Sequence, residues 1–461
     1  MLTLCALYVA QGIPWGFITV TFAAWLAQPE NGLKTEQIGP ILGVATLPWS
    51  FKFVWGPLMD RFTIPSLGRR RPWIILAQSM AILALGSMLF FDDLPSMAWK
   101  IDQQDHWLLQ IMYSVVPSPL AAMILVANIF VSVQDVAVDA LAVDLLEEEE
   151  RGAANGLMYG SSYLGTAIGG AGLGMLVASY DIRAGIAGQV LLLFLIMLLP
   201  IFIRERRSSA SAPGAVRNPK NTGSVSKNPY AAPETEPHTP APLPQPEPEI
   251  ATSFGAVFKD LWTAFSLPSA FIGILVALGV KVGIGVLTAV FVTYLQNDGG
   301  WTMREYTTVT GGYAVLLGLC GAAMGGFAAD RFGAKPLIVG TSVLLGSLWI
   351  GFGVFPAALN SHAMVTGLLL LQELLLAVMS VALFSLFMSI SWPKVGATQF
   401  TTYMAMMNFS TTIGSYAAGR ISQSATIFQI LMLAGLLQAV LVIPVLFIDP
   451  KQTRRILGTG G

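Results

Sequence analysis

Five ionisable residues lie inside long apolar runs of the sequence: Lys52, Asp135, Asp139, Lys281 and Glu373. A charged side chain in such a run costs about 2.5–3.5 kcal/mol to insert into a bilayer, so each residue needs a partner or a task. Carboxylates that exchange a proton and cations that bind an anion are the chemistry that such residues perform inside membranes. These five residues are therefore the first candidates for a functional site.

Asp135 and Asp139 are four residues apart, which puts both on one helix face, with Gln134 adjacent. Two close carboxylates rarely both stay charged at low dielectric, so we expect one of them to hold a transported proton. Lys52 and Asp135 both lie about 10–12 Å from the end of their helix at 1.5 Å per residue, which permits an ion pair. For Asp135 a structural pair with Lys52 and a transport role stay open, whereas for Asp139 a structural role is favoured.

Lys281 and Glu373 each lie about a dozen residues into an apolar run, near the middle of a bilayer. A cation at this depth is a natural partner for an anionic substrate, although a pair between Lys281 and Glu373 would neutralise it. Trp15 lies in the run Gly-Ile-Pro-Trp-Gly at 12–16, which we expect to interrupt the first helix beside a cavity. Its ring would suit stacking on a sugar or nucleotide, or it packs within the bundle.

The composition predicts a membrane protein, since 54% of the 461 residues are hydrophobic and 11% are charged, against about 25% charged in a soluble domain. A net charge of −1 without a basic face argues against nucleic-acid binding. The two cysteines and three histidines are scattered, so we expect no metal site and no cofactor. P-loop, nucleophile-elbow and HExxH motifs are absent, so we predict that the chain is not an enzyme and not an ATP-driven pump.

Twelve runs have the length of about 20 residues that a spanning helix requires. The fold class predicted from them is an all-α polytopic membrane protein with twelve transmembrane helices in two six-helix halves. We name the runs spans 1–12, and they cover residues 2–27, 36–59, 73–91, 119–142, 154–179, 186–203, 270–296, 305–328, 336–357, 363–391, 399–420 and 425–448.

A stretch with ten prolines separates the two halves. Its polar, proline-rich composition cannot bury a core, so we expect it to be disordered. Lys and Arg concentrate in loops on one side of the spans, which predicts that both termini and this linker are cytoplasmic. The predicted domains are a first bundle at 1–203, the linker at 204–253, a second bundle at 254–448 and a tail at 449–461.

A short signature occurs at the end of span 2 and again at the end of span 8, which are equivalent positions if six spans form one repeat. It reads Gly-x-x-x-Asp-Arg-Phe and leads into a basic turn, and its repetition indicates the gating-loop motif of the major facilitator superfamily. Its glycines would let helices approach closely. The loop-motif residues are Gly56, Asp60, Arg61 and Arg69 in the first half and Gly326, Asp330 and Arg331 in the second.

The first half resembles one branch of that superfamily, the AmpG-type muropeptide permeases together with the acetyl-coenzyme A transporters. Residues 47–61 are similar to the branch pattern Pro-aromatic-Ser-x-Lys-x-x-Trp-x-Pro-x-x-Asp, and residues 134–140 to Gln-Asp-x-x-x-Asp-Ala. Lys281 stands where the branch has Lys-x-Gly-Asp, but Ile284 replaces the acid. The resemblance implies proton-linked import of anhydro-muropeptides or another bulky anionic conjugate.

The predicted function is therefore secondary active transport of a small molecule, coupled to protons, by a monomer in a bacterial inner membrane. A drug or metabolite exporter on the same fold is one alternative, because fold does not fix substrate. A membrane sensor that does not transport, and whose linker binds a cytoplasmic partner, is another. Charged residues near the middle of several spans favour transport over sensing.

The linker supplies a first test of the topology. Residues 208–250 should be the first site cut when a protease is added to inside-out vesicles, because an unfolded cytoplasmic segment is accessible there. Mass spectrometry of the fragments locates the cut. Right-side-out vesicles are the control, and cleavage in them, or protection in inside-out vesicles, would contradict the predicted orientation.

Overall fold

The computed structural model describes residues 1–61, 68, 70–99, 115–145, 151–202 and 254–458. These residues form helices and contain no β-strand. Helices that follow one another closely in the sequence are joined by short turns, as between Ser179 and Ile182. The predicted linker 204–253 lies outside the described residues, so the division into domains stays a prediction.

Each predicted span contains a helical segment of corresponding position. In several spans an α-helix continues through a stretch of 3₁₀ or π helix. The segments are Leu2–Leu26, 35–61, Arg71–Phe90, Pro119–Leu145, 151–179, Ile182–Phe202, Pro268–Asn297, Met303–Phe332, Ala334–Val354, His362–Ile390, Gly396–Ser424 and Ile427–Leu446.

Ten of these segments are long and apolar enough to cross a membrane. Spans 2 and 11, at 35–61 and Gly396–Ser424, are not among these ten segments. Span 11 is rich in Thr, Ser and Asn. These two spans pack against each other where the halves meet, so much of their surface is sheltered from lipid. The chain is thus an all-helical, multi-pass membrane protein, and the arrangement agrees with twelve spans.

The two halves are joined by hydrogen bonds at the bundle end opposite the N-terminus, which we call the closed end. Gln296 Nε2 of span 7 donates to the Ala24 carbonyl (2.7 Å), and Thr35 and Thr293 share a hydroxyl bond of 2.6 Å. Arg304 Nη2 donates to Ser179 Oγ at 2.9 Å. The contacts between the halves are made mainly by spans 1, 2 and 5 of the first half and by spans 7, 8 and 11 of the second.

Three spans contain a π-helical turn, and the three turns pack on one another. They lie at Phe17–Phe22 in span 1, Ile168–Gly172 in span 5 and Val309–Tyr313 in span 8. A π turn breaks the regular helical hydrogen-bond pattern and is frequent at functional sites. Here the Thr21 hydroxyl lies 2.8 and 2.6 Å from the carbonyls of Gly169 and Gly170. Where the turn of span 8 meets the turns of spans 1 and 5, the contact between the halves is therefore built from irregular backbone.

At the centre of this contact the backbones of Gly170 and Gly311 meet. A Cβ atom on Gly311 would lie 2.6 Å from Ala171 N and from Gly170 C. Because both of these are backbone atoms, no rotation of a side chain could relieve the clash. The closed end consequently requires glycine at position 311.

The structure corrects two local predictions. Residues 12–16 do not interrupt span 1, since the α-helix Leu2–Gly16 contains Pro14 and the irregular turn follows it. Gly12 and Gly16 instead lie against the backbone of span 5, where added Cβ atoms would be 2.2 Å from the carbonyls of Ser162 and Thr166. Span 7, which the sequence analysis gives as the single run 270–296, consists of two α-helices, Pro268–Gly279 and Val282–Asn297.

Gly311→Ala should shift the protein towards conformations that are open at the closed end, because the added methyl group cannot fit against Gly170. Spin labels on cysteines at Glu30 and Asp298, both exposed at that end, would report a longer separation in pulsed EPR. Gly312→Ala is the matched control, because its Cβ would meet only the Ala171 side chain, at 3.4 Å. Equal distance distributions for wild type and Gly311→Ala would contradict the prediction.

Candidate functional site

Lys52 is presented by an irregular part of span 2. Residues Leu47–Val54 form a 3₁₀ helix of eight residues, whereas such helices rarely exceed three or four, and a stretch of this kind often marks a hinge. Two bonds fix it against span 4: Trp55 Nε1 donates to Ser132 Oγ (2.9 Å), and Ser132 Oγ donates to the Pro48 carbonyl (3.3 Å). The 3₁₀ stretch is thereby held against the helix that carries the two aspartates.

The predicted ion pair between Lys52 and Asp135 is present. Lys52 Nζ lies 3.3 Å from Asp135 Oδ2, and the two side chains are 15% and 10% exposed. Removing one partner of such a pair leaves an uncompensated charge away from water, which is strongly destabilising. The pair therefore links span 2 to span 4 in a way that depends on both residues.

Asp139 lies one helical turn further along and has a different partner. The Tyr8 hydroxyl of span 1 donates to Asp139 Oδ1. The Tyr159 ring of span 5 stands edge-on to Tyr8 with centroids 6.2 Å apart. Tyr159 also interacts electrostatically with Lys52 and both aspartates, and its side chain is 52% exposed. Asp139 therefore lies in one group of interacting side chains with Lys52 and Asp135.

We call Tyr8, Lys52, Asp135, Asp139 and Tyr159 the first cluster. It contains one ammonium ion and two carboxyl groups, and Tyr8 and Tyr159 are neutral as phenols. If both carboxyl groups were ionised, one negative charge would have no counter-charge in the cluster, and the two carboxylates would repel each other. The arrangement can therefore balance its charge by holding one proton.

Gln134 does not join this cluster. Its side chain is buried and donates to Gln78 Oε1 of span 3 at 3.3 Å, and Gln78 in turn donates to the Leu193 carbonyl of span 6. These bonds fix span 4 against spans 3 and 6. Its predicted place on the substrate or proton pathway therefore has no support in these contacts, and its role in the structure is packing of polar groups within the first half.

Lys281 lies at the break in span 7, at the N-cap position of the helix Val282–Asn297. Its backbone N–H donates to Ser410 Oγ of span 11 at 2.9 Å. Lys281 and Glu373 interact electrostatically, but no ion pair within 4.0 Å joins them among the described residues. The ammonium group of Lys281 is thus not neutralised by a close carboxylate, and it lies next to the N-terminal end of a helix, which also favours an anion.

Glu373 of span 10 and Tyr163 of span 5, in the first half, both approach Gly318 of span 8. A Cβ atom on Gly318 would lie 3.4 Å from Glu373 Oε1 and 3.2 Å from Cε1 of Tyr163. Tyr163 is four residues from Tyr159, so both tyrosines lie on one face of span 5. Tyr159 interacts with the first cluster and Tyr163 with Glu373. We call Lys281, Glu373 and Tyr163 the second cluster.

Sequence reasoning missed the three tyrosines. The i, i+4 spacing of Tyr159 and Tyr163 was a readable signal for a shared helix face. Nothing in the sequence placed Tyr8 against Asp139, which is 131 residues away.

Aromatic side chains lie near the first cluster, on spans 1, 2 and 11. Trp15 is half-buried and stands edge-on to Trp49, with centroids 6.3 Å apart. Phe51 is 48% exposed and meets Phe409 of span 11 across the two halves at 6.4 Å. Trp15 therefore packs against another ring, which leaves its predicted stacking role as a prediction.

The loop-motif residues lie where the sequence predicts, in the last turns of spans 2 and 8, apart from Arg69, which is outside the described residues. Gly333 follows the second motif with φ +85°, a conformation that glycine adopts readily. The expected use of Gly56 and Gly326 for close helix approach is wrong here, because Cβ atoms at these positions would meet no atom of the described residues within 4 Å.

The ion pair is tested by a double-mutant cycle on stability in detergent. Lys52→Ala should be destabilising by about 3–5 kcal/mol, because it leaves a buried carboxylate without its partner, and adding Asp135→Ala should recover part of this loss. The exposed pair Arg183–Asp92 is the control and should show little coupling. Additive effects of Lys52→Ala and Asp135→Ala would contradict the pairing.

Three comparisons relate the chain to known membrane proteins. Residues 1–166 match the family model described as acetyl-coenzyme A transporter 1. The anhydromuropeptide permeases of Escherichia coli strains K12 and O157:H7 are 25% identical over 398 residues, which is 86% of this chain and 69% of theirs. The crystal structure of the nucleoside transporter NupG (D323A mutant) has the same fold, with a TM-score of 0.66 at 10% identity over 97% of this chain and 99% of that one.

These relatives are permeases and transporters, which supports the prediction that the chain is not an enzyme. The resemblance predicted from spans 2 and 4 is confirmed, although the family model covers the first half only in part. The chain is a multi-pass membrane transporter with the major facilitator fold, and it resembles the AmpG-type muropeptide permeases and the acetyl-coenzyme A transporters.

Proposed function

We propose that the protein imports a muropeptide-like or other bulky anionic glycoconjugate across the bacterial inner membrane together with protons, by alternating access. One observation carries the proposal: the first cluster has one ammonium ion, two carboxyl groups and a tyrosine hydroxyl in a site sheltered from water. Such a site can take up and release one proton as its surroundings change. The resemblance to the anhydromuropeptide permeases supports the substrate class.

Within the cluster we assign the transported proton to Asp139. Asp135 has the ammonium group of Lys52 as its direct partner, whereas Asp139 has only the Tyr8 hydroxyl and a like-charged neighbour. The sequence left a structural pair and a transport role open for Asp135, and it favoured a structural role for Asp139. The contacts support Asp135 as the structural partner of Lys52 and Asp139 as the carrier of the proton.

Lys281 is the proposed contact for the anionic group of the substrate. Its ammonium group lies at the break of span 7 without a close carboxylate, and unwound helices at this depth border binding sites in other transporters. The exposed rings of Phe51 and Tyr159 offer surfaces on which sugar rings can stack.

The predicted orientation puts both termini in the cytoplasm and the closed end towards the periplasm. The structure would then be a conformation that is closed towards the periplasm. Export by the same scaffold is the competing direction, and the sign of the driving gradient separates the two.

The test is uptake of radiolabelled anhydromuropeptide into proteoliposomes. With one proton per substrate, a one-unit pH gradient, acid outside, should drive about tenfold accumulation. Asp139→Asn should abolish this accumulation while counterflow exchange remains, because exchange does not require release of the proton. Asp135→Asn should weaken both reactions, since it leaves Lys52 without its partner.

Asp298→Asn is the control, because that carboxylate is exposed at the closed end and should not affect transport. Wild-type accumulation by Asp139→Asn would refute the assignment of the proton. Accumulation driven only by the opposite gradient would indicate export, and absence of any uptake or exchange by the wild type would refute this substrate class.

A further inference from the structure

A short helix precedes span 7 and has two chemically distinct faces. It covers Phe254–Phe265, with the sequence FGAVFKDLWTAF. At 100° per residue, Phe258, Trp262 and Phe265 fall on one side, and Lys259, Asp260 and Thr263 on the other. We call it the linker helix because it follows the proline-rich linker in the sequence.

Three contacts hold the linker helix against the second half. Asp260 Oδ2 lies 3.0 Å from Lys394 Nζ in the turn between spans 10 and 11. The Phe265 ring stands edge-on to Tyr403 of span 11 at 5.6 Å. Ala264 is buried against the bundle. These contacts fix the rotation of the helix about its axis.

With that rotation fixed, two large aromatic side chains face away from the protein. Phe258 and Trp262 are each 70% exposed and lie one turn apart. Contact of both rings with water would be unfavourable, whereas Trp and Phe are typical of helices that lie in the headgroup region of a bilayer. A neighbouring exposed pair of rings therefore needs an apolar environment on this side.

The position of the helix identifies that environment as lipid. Ser266 and Leu267 connect it directly to span 7, which begins at Pro268, so it lies where that span enters the membrane. Phe271 and Leu275 of span 7 are also exposed, on a helix that must contact acyl chains. At the same end Lys394 lies over the Trp392 ring at 5.3 Å, and aromatic and basic residues are both enriched at the interface.

We infer that the linker helix lies in the membrane interface, with Phe258 and Trp262 inserted between lipid headgroups and the upper acyl chains. The anchor holds one end of the helix Pro268–Gly279, and the other end of that helix is the break at Lys281. The second half is thereby fixed in depth at the point where the linker joins it.

Spin-label accessibility in the full-length protein tests this placement. Cys5 and Cys320 are the only cysteines, so replacing both with serine gives a background for single labels. Phe258→Cys and Trp262→Cys would be labelled in vesicles of phosphatidylcholine and phosphatidylglycerol. Thr263→Cys is the matched control, since Thr263 is exposed on the polar side of the same helix.

Labels at 258 and 262 should collide more often with oxygen, which concentrates in lipid, than with a water-soluble nickel chelate, and the label at 263 should show the reverse. Greater nickel access at 258 and 262 would overturn the inference. Protection from both reagents at these positions, increasing with protein density in the vesicle, would also overturn it by indicating contact with a second copy of the chain.

A second measurement avoids cysteine substitution. Brominated lipids quench nearby tryptophans, so wild type should lose a component of quenchable fluorescence when Trp262 is replaced by phenylalanine. Lipids brominated near the headgroup should quench this component more than lipids brominated near the chain end. Equal quenching of wild type and W262F by both lipids would contradict the interfacial position.

Discussion

The interaction on which the rest of the site depends is the ion pair between Lys52 and Asp135 in a part of the bundle that is sheltered from water. An isolated charge there is costly, so the pair requires spans 2 and 4 to stay in register. Several features serve that register, including the 3₁₀ stretch Leu47–Val54 and the bond from Trp55 to Ser132. Lys52 and Asp135 neutralise each other, so the neighbouring Asp139 has no counter-charge of its own. Its ionisation is therefore sensitive to its surroundings.

The charged residues of the second half are arranged differently from the ion pair of the first half. Lys281 and Glu373 attract each other without forming a close ion pair among the described residues, and the break in span 7 leaves the lysine next to a helix N-terminus. Span 5 connects the two arrangements, because Tyr159 is coupled to the first cluster and Tyr163 to Glu373. A relative movement of the halves would therefore change the distance between Tyr163 and Glu373, which belong to opposite halves, whereas the first cluster lies within the first half.

The sequence predicted the features that depend on local pattern. Hydropathy located the helical segments, and equal depth in two helices sufficed to pair Lys52 with Asp135. Features that depend on the meeting of distant segments were not predictable in this way. Tyr8 reaches Asp139 only because spans 1 and 4 are neighbours, and the π turns of spans 1, 5 and 8 form where glycines allow backbones to touch. Asp139 was predicted to be structural because its position near the helix end was visible in the sequence, whereas its partner Tyr8 was not.

If substrate and proton cross the membrane together, a pH electrode can detect the proton movement directly. Anhydromuropeptide added outside lightly buffered proteoliposomes should make the external medium more alkaline as substrate enters, in proportion to the substrate taken up. In liposomes without protein the pH should not change. Entry of the substrate through the wild-type protein without any movement of protons would contradict proton-coupled import.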